Sequence, residues 1–285
     1  MKEAVVRSLA ASVCALGLVS CGGGGGDAPP ASTPPPPAAA GVPAGWRLVW
    51  NDEFDVAGLP DPAKWGYDTF RNQAGWFNNE LQYYAADRPE NARVEGGSLI
   101  ITARKERLAT QPDFGGQDYT SARLLTRGKA EWTYGFFEVR AKLPCGMGTW
   151  PAIWTLGSRG TWPDDGEIDI MEQTGWEPGR ILGTSHMKNF NGGNGKGAWV
   201  TVADTCNSFH KYQVKWTAEA IVWSVDDVVY YTYFKMPGAP YASWPFDFPQ
   251  YLLLNVAVGG VLGGTPDDSV FPARMEIDHV RVYQP

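Results

Sequence analysis

The chain has 285 residues, with 24 Lys and Arg against 31 Asp and Glu, a net charge of −7. An acidic surface repels phosphate backbones and anionic headgroups, which argues against nucleic acid or a bare membrane as partner; a neutral polysaccharide is compatible with it. The 34 glycines and 22 prolines favour many turns over long helices.

In chain order, residues 1–20 carry Lys2 and Arg7, then an apolar run from Leu9 to Val19. A span needs ~20 apolar residues, so this shorter run reads as a secretory signal. Its end, Leu18-Val19-Ser20-Cys21, resembles a bacterial lipobox, which implies cleavage before Cys21 and lipidation of that cysteine. An ordinary signal with an incidental cysteine is the alternative. Gly22 rather than Asp follows, so in a host with two membranes the expectation is an exported, lipid-anchored protein of the outer membrane or cell surface. Residues 21–45 hold a glycine run and then a Pro/Ala-rich tract. Such chain is flexible and then extended, suited to a tether. No strand precedes the glycines and no Gly-Lys-Ser/Thr follows, so they are not a phosphate loop. Without residues 1–20 the balance is 22 basic against 30 acidic residues.

Residues 46–285 suffice for one large all-β domain. Runs rich in β-branched and aromatic residues, bounded by Gly, Pro, Asn or Asp, predict strands over 47–51, 98–104, 136–143, 152–156, 167–173, 212–217, 220–225, 228–234, 251–258 and 274–283. Asp226-Asp227 reads as a hairpin turn. No long helical stripe and no repeat appears, so the fold class is all-β, a two-sheet β-sandwich. Cys14 lies in the signal, which leaves Cys145 and Cys206 as an even pair in an exported chain. A disulfide is the expectation and two free thiols the alternative; the spacing matches no zinc site.

One stretch, Gly166-Glu167-Ile168-Asp169-Ile170-Met171-Glu172, carries unusual chemistry for a strand. Side chains alternate faces, so Glu167 and Asp169 share one face while Ile168 and Ile170 share the other. Strict alternation sends Glu172 to the Ile face. A β-bulge, with Met171 as the expected extra residue, returns it to the acids. Like charges in a half-dry groove cannot all ionise at their solution pKa values. One acid then stays protonated while another is ionised, the pair that glycosidic cleavage requires. On spacing alone, a cation site and a solvated acidic strand remain open.

The same stretch is similar to the active-site signature of family 16 glycoside hydrolases, in the bulged form typical of laminarinase-like β-1,3-glucanases. Trp150-Pro151-Ala152-Ile153-Trp154, Gly183-Thr184-Ser185-His186, Asn78-Asn79-Glu80-Leu81-Gln82-Tyr83-Tyr84 and Asp278-His279-Val280-Arg281-Val282-Tyr283 extend the resemblance from about Trp46 to Pro285. It implies a β-jelly roll with a concave sheet as the cleft. It also implies endo-hydrolysis of a laminarin-like β-1,3-glucan with retention. Glu167 is the expected nucleophile, Glu172 the acid and then base, and Asp169 the residue between them that orders the charges. Retention needs carboxyls ~5–5.5 Å apart. No catalytic cofactor is implied, and a monomer is expected. Other polysaccharides (mixed-linkage β-glucan, agarose, carrageenan), transglycosylation, or a non-catalytic sugar-binding module are the alternatives.

Aromatic rings pack well on pyranose faces. Trp150 and Trp154, four apart, share a strand face, and Trp162 precedes the acidic strand. By resemblance these three contact sugar near the cleavage point, His186 lies near the acids, Asn79 stands at the glycone side, and Arg123 is a further substrate contact. His210 and His279 read as structural. The resemblance also implies a structural calcium at Glu53, Gly97 and Asp278, with only Asp278 offering a side chain, although Ca²⁺ takes several oxygens. The loop Gly259-Gly260-Val261-Leu262-Gly263-Gly264 departs from the family, which often has an aromatic there.

Overall fold

The computed structural model describes residues 41–285; the signal, Cys21 and residues 21–40 of the expected tether lie outside the described residues. In chain order the strands are β1 (Arg47–Asp52), β2 (Gly66–Tyr67), β3 (Gln82–Tyr84), β4 (Ala92–Glu95), β5 (Ser98–Lys105), β6 (Tyr119–Ser121), β7 (Arg123–Leu125), β8 (Gly135–Lys142), β9 (Thr149–Gly157), β10 (Glu167–Gln173), β11 (Arg180–His186), β12 (Lys196–Thr201), β13 (His210–Trp216), β14 (Ala220–Val225), β15 (Val228–Phe234), β16 (Gln250–Val258) and β17 (Ala273–Gln284). They form two sheets, as expected. The seven-stranded sheet runs β12-β11-β10-β9-β16-β7-β2, and the ten-stranded sheet is built around β15-β14-β13-β8-β17-β5-β6-β3. The expected strands are all present with ends shifted by a few residues. Those not foreseen are mostly two to four residues long, too short for alternation to register. β11 and β12 are longer, but glycines interrupt their pattern.

The core lies between the sheets. Ile168, Ile170, Met171, Leu252, Leu254 and Val256 of the seven-stranded sheet meet Phe137, Val214, Trp216 and Trp223 of the other. Each such side chain contributes roughly 1.5–3 kcal/mol by leaving water. This inward apolar row turns the acids of β10 to the outer face of the seven-stranded sheet. Cys145 and Cys206 are joined in a disulfide with Cα atoms 5.8 Å apart. It ties the approach to β9 to the loop before β13.

The bulge in β10 exists, but Met171 is not the extra residue. Against β9, Asp169 pairs with Trp154, Met171 with Ile153 and Glu172 with Ala152, so Ile170 has no partner. Against β11, Asp169 pairs with Thr184 and Glu172 with Leu182, so Ile170 and Met171 both face the single residue Gly183. Both side chains go into the core, 1 % and 0 % exposed. Two inward residues in succession fill more interior space than one, and Glu172 returns to the outer face. Gly183 is needed opposite them: a Cβ there would lie 2.3 Å from the Tyr230 hydroxyl and 2.4 Å from the Trp223 ring.

The expected calcium positions do converge. Asp278 lies where β17 changes register, between its ladders to β1 and β5. The carboxylates there are already engaged. Asp278 Oδ2 lies 3.1 Å from Arg140 Nη1 and 2.9 Å from His279 Nδ1. Glu53 accepts from Arg281 through both oxygens, at 2.9 and 2.8 Å, which holds its pKa down at about 2. Glu53 and Gly97 would offer backbone oxygens only, so the Arg281 pair leaves that expectation untouched; Asp278, the one side chain expected to take part, already pairs with Arg140 and His279, while Ca²⁺ takes six to eight oxygen ligands. His279, also 3.2 Å from Glu138, is structural as expected, and His210 pairs with Asp226 at 2.6 Å.

Candidate active site

Register places the site. One row across the seven-stranded sheet reads Trp199, Leu182, Glu172, Ala152, Asn255, Arg123. The next reads Gly197, Thr184, Asp169, Trp154, Leu253, Leu125. Glu167 pairs with His186 on one side and Leu156 on the other. Glu167, Asp169 and Glu172 therefore stand on one face in successive rows. Two of the acids are buried, Asp169 2 % and Glu172 9 % exposed, and Glu167 is half-buried.

Two indoles hold the outer acids. Trp162 Nε1 donates to Glu167, and Trp150 Nε1 donates to Glu172 at 3.0 Å. Trp150 and Trp154 share a face, as their spacing implied. His186 Nε2 lies 3.1 Å from Asp169 Oδ2, a diagonal neighbour across the ladder.

The electrostatics follow from burial. Loss of water, then the charge of Asp169, raises the Glu167 carboxyl well above its ordinary range. Loss of water, then the charge of Glu172, raises Asp169 against the pull of His186. Burial, then Glu167, pushes Glu172 up to about 7. Burial works against a charged His186, but Asp169, with Glu167 and Glu172 behind it, raises the imidazole to about 9. The cluster titrates as a unit. At neutral pH it holds an imidazolium and fewer negative charges than carboxyls. Donor atoms of Glu167, Asp169 and His186 lie within 4.8 Å of one another, close enough to hold a metal. Asp169 favours the charged form of His186, which serves the acids as a cation at neutral pH.

Arg123 is buried and reaches Asp68 Oδ2 at 3.1 Å. Its guanidinium carbon lies 4.5 Å from the Trp154 ring centre and 5.3 Å from that of Trp76. Trp154 Nε1 donates to Asn255 Oδ1 at 2.7 Å. Asn79 ends the turn Phe77–Asn79, with φ of 61°, just before Glu80, whose backbone bridges Gly259. Sequence reasoning had not singled out Glu80, Trp76, Asp68 or Asn255. Glu80 accepts from Gln82 Nε2 at 2.8 Å. Burial raises its pKa against the pull of Gln82 and Arg123, and its charge in turn raises Glu172. The available signal was an acid amid aromatic sequence; its burial is tertiary.

A profile of "Glycosyl hydrolases family 16" matches residues 79–281. A "Beta-glucanase" of Rhodothermus marinus is 51% identical over 252 residues, which is 84% of this chain and 85% of that protein. The solved laminarinase from Rhodothermus marinus superposes with a TM-score of 0.79 at 51% identity, covering 84% of this chain and 97% of its own. SCLam, described as a non-specific endo-β-1,3(4)-glucanase, superposes at 0.85 with 51% identity, covering 88% and 95%. Profile, relatives and geometry agree: the chain belongs to glycosyl hydrolases family 16.

Proposed function

We propose that the protein is an endo-acting β-1,3-glucanase that works with retention. The observation that carries this reading is the bulge at Ile170, which sets Glu172 on the face of Glu167 and Asp169. Glu167 attacks the anomeric carbon and forms a glycosyl-enzyme. Glu172, raised to about 7, protonates the leaving oxygen, then takes a proton from water as the intermediate is hydrolysed. Asp169 shares a proton with Glu167, and His186 steadies that pair. When Asp169 holds the proton, Glu167 is free as a carboxylate. Trp150, Trp154 and Trp162 bear on the sugars beside the acids, with Asn79 and Arg123 on the glycone side. The reaction uses side chains alone, with no catalytic cofactor. Incubation with laminarin, measuring new reducing ends and the anomer first released, tests this; no release, or the inverted anomer, overturns it.

The likeness to SCLam supports a second reading in which mixed-linkage β-glucan is also cut. Parallel digestion of lichenan separates the two.

Further parts of the proposal rest on sequence. Residues 1–20 direct export, Cys21 carries lipid, and residues 21–45 tether a monomeric catalytic domain (46–285) to the outer membrane or cell surface. Release of the enzyme into the medium by Cys21→Ala tests the anchor. A structural calcium at Glu53, Gly97 and Asp278 is tested by melting with and without a chelator; melting unchanged by the chelator dismisses it.

A further inference from the structure

Trp199 is the residue that the proposed mechanism leaves unused. β12 is the edge strand of the seven-stranded sheet. Its side chains alternate, and Ala198 and Val200 turn inward, with Val200 packed on the core. Gly197, Trp199 and Thr201 face outward, and Trp199 is 38 % exposed. An indole left open at a sheet edge forgoes the burial that usually stabilises it.

Its register decides what it faces. Trp199 pairs with Leu182, and Leu182 with Glu172. Trp199 therefore lies in the row of Glu172, on the same face and two strands away, roughly 10 Å at the usual strand spacing. Arg123 lies in that row at the opposite end. The Arg180 guanidinium sits 4.3 Å from the Trp199 ring centre and is tied to Glu177 at 2.7 Å. This backs the indole on one side and fixes its plane. Along the strand on the other side is Gly197, exposed and without a side chain. Next to Gly197 comes Thr184, and then Asp169.

We infer that Trp199, backed by Arg180, is a sugar-stacking platform for the part of the glucan that leaves. This rests on the proposed function, with the glycone on the Asn79 and Arg123 side. The chain crosses the acids, passes over the open ledge at Gly197 and lays a pyranose face on the indole. The C–H-rich sugar face is met by a flat ring that Arg180 holds from behind.

The test compares Trp199→Ala and Trp199→Phe with the parent enzyme on two substrates. One is laminarin. The other is a chromogenic aryl β-laminaribioside, whose aryl group leaves and which places no sugar on β12. Trp199→Ala is expected to raise KM for laminarin about three- to tenfold, with kcat/KM for the aryl glycoside unchanged, and Trp199→Phe to recover most of the loss. Oligosaccharides labelled at the reducing end should be cut closer to that end by Trp199→Ala. Unchanged laminarin kinetics, or an equal loss on both substrates, overturns the inference. A parent enzyme inactive on both substrates would instead overturn the proposed function.

Discussion

The indole Nε1 of Trp223, on β14 of the ten-stranded sheet, donates 2.8 Å to the backbone carbonyl of Asp169 in the opposite sheet. That carbonyl stands where the bulge breaks the ladder of β10. A buried carbonyl left without a donor costs roughly 1–3 kcal/mol, and Trp223 offsets that cost at the kink. The core thereby holds the strand geometry that gathers the acids.

Removing this support should loosen the site before it unfolds the domain. Trp223→Phe is expected to lower stability by about 2–4 kcal/mol from the lost hydrogen bond and the partial cavity. It should lower kcat more than it changes KM. Denaturant melts and steady-state kinetics on laminarin check both. Gly183→Ala should behave similarly, since its methyl meets Trp223 and Tyr230; wild-type kcat in both variants would show that the bulge needs no such support.

Glu172→Gln should reduce kcat on laminarin by roughly 10²–10⁴, the usual range for a lost general acid. An aryl glycoside with an acidic phenol needs little protonation as it leaves, so formation of its glycosyl-enzyme should be nearly unaffected. A burst of phenol followed by slow turnover is the expected trace. Glu167→Gln should show no burst.

With Glu172 at about 7, kcat/KM should fall above that pH as the acid deprotonates. The positive charge of His186 lowers the Glu172 pKa, and the charge of Glu80 raises it. His186→Asn should therefore move this limb to higher pH, and Glu80→Gln should move it to lower pH. Profiles that shift in the same direction would contradict the charge assignment.

The same shift has a stability consequence. Glu172 is pushed by folding from 4.5 to about 7, so ionising it favours the unfolded chain. The cost is absent below pH 4.5, grows as pH rises, and is complete above about 7, where it is on the order of 3 kcal/mol. Glu172→Gln should melt higher than the parent at pH 8, by roughly 2–4 °C per kcal/mol, and about equally at pH 4. Thermal melts at the two pH values check the sign.

The Cys145–Cys206 bridge spans 61 residues. Reduction or Cys206→Ser should cost about 2–4 kcal/mol, and melting with and without reductant measures it. The bridge lies before β9 and before β13, and neither cysteine belongs to the acid cluster, so kcat should be less sensitive than melting temperature.

What the sequence by itself determined was periodic or compositional. Alternation marked the longer strands and the two-sheet class, and cysteine count paired Cys145 with Cys206. Spacing showed that Glu172 could join Glu167 and Asp169 only through a bulge, and the family resemblance made that bulge the expectation. The tertiary structure decided which residue makes that turn. Against β9, Ile170 rather than Met171 is the one without a partner; the interior takes both side chains, and Trp223, 54 positions away, supplies a donor to the Asp169 carbonyl beside the bulge. It also decided that Glu80 is half-buried with its charge acting on Glu172, that Arg123 lies between Trp154 and Trp76, and that Trp199 shares the row of Glu172. Those are relations between strands far apart in the chain. Local pattern cannot encode them, because register is fixed only when two sheets close on a common core.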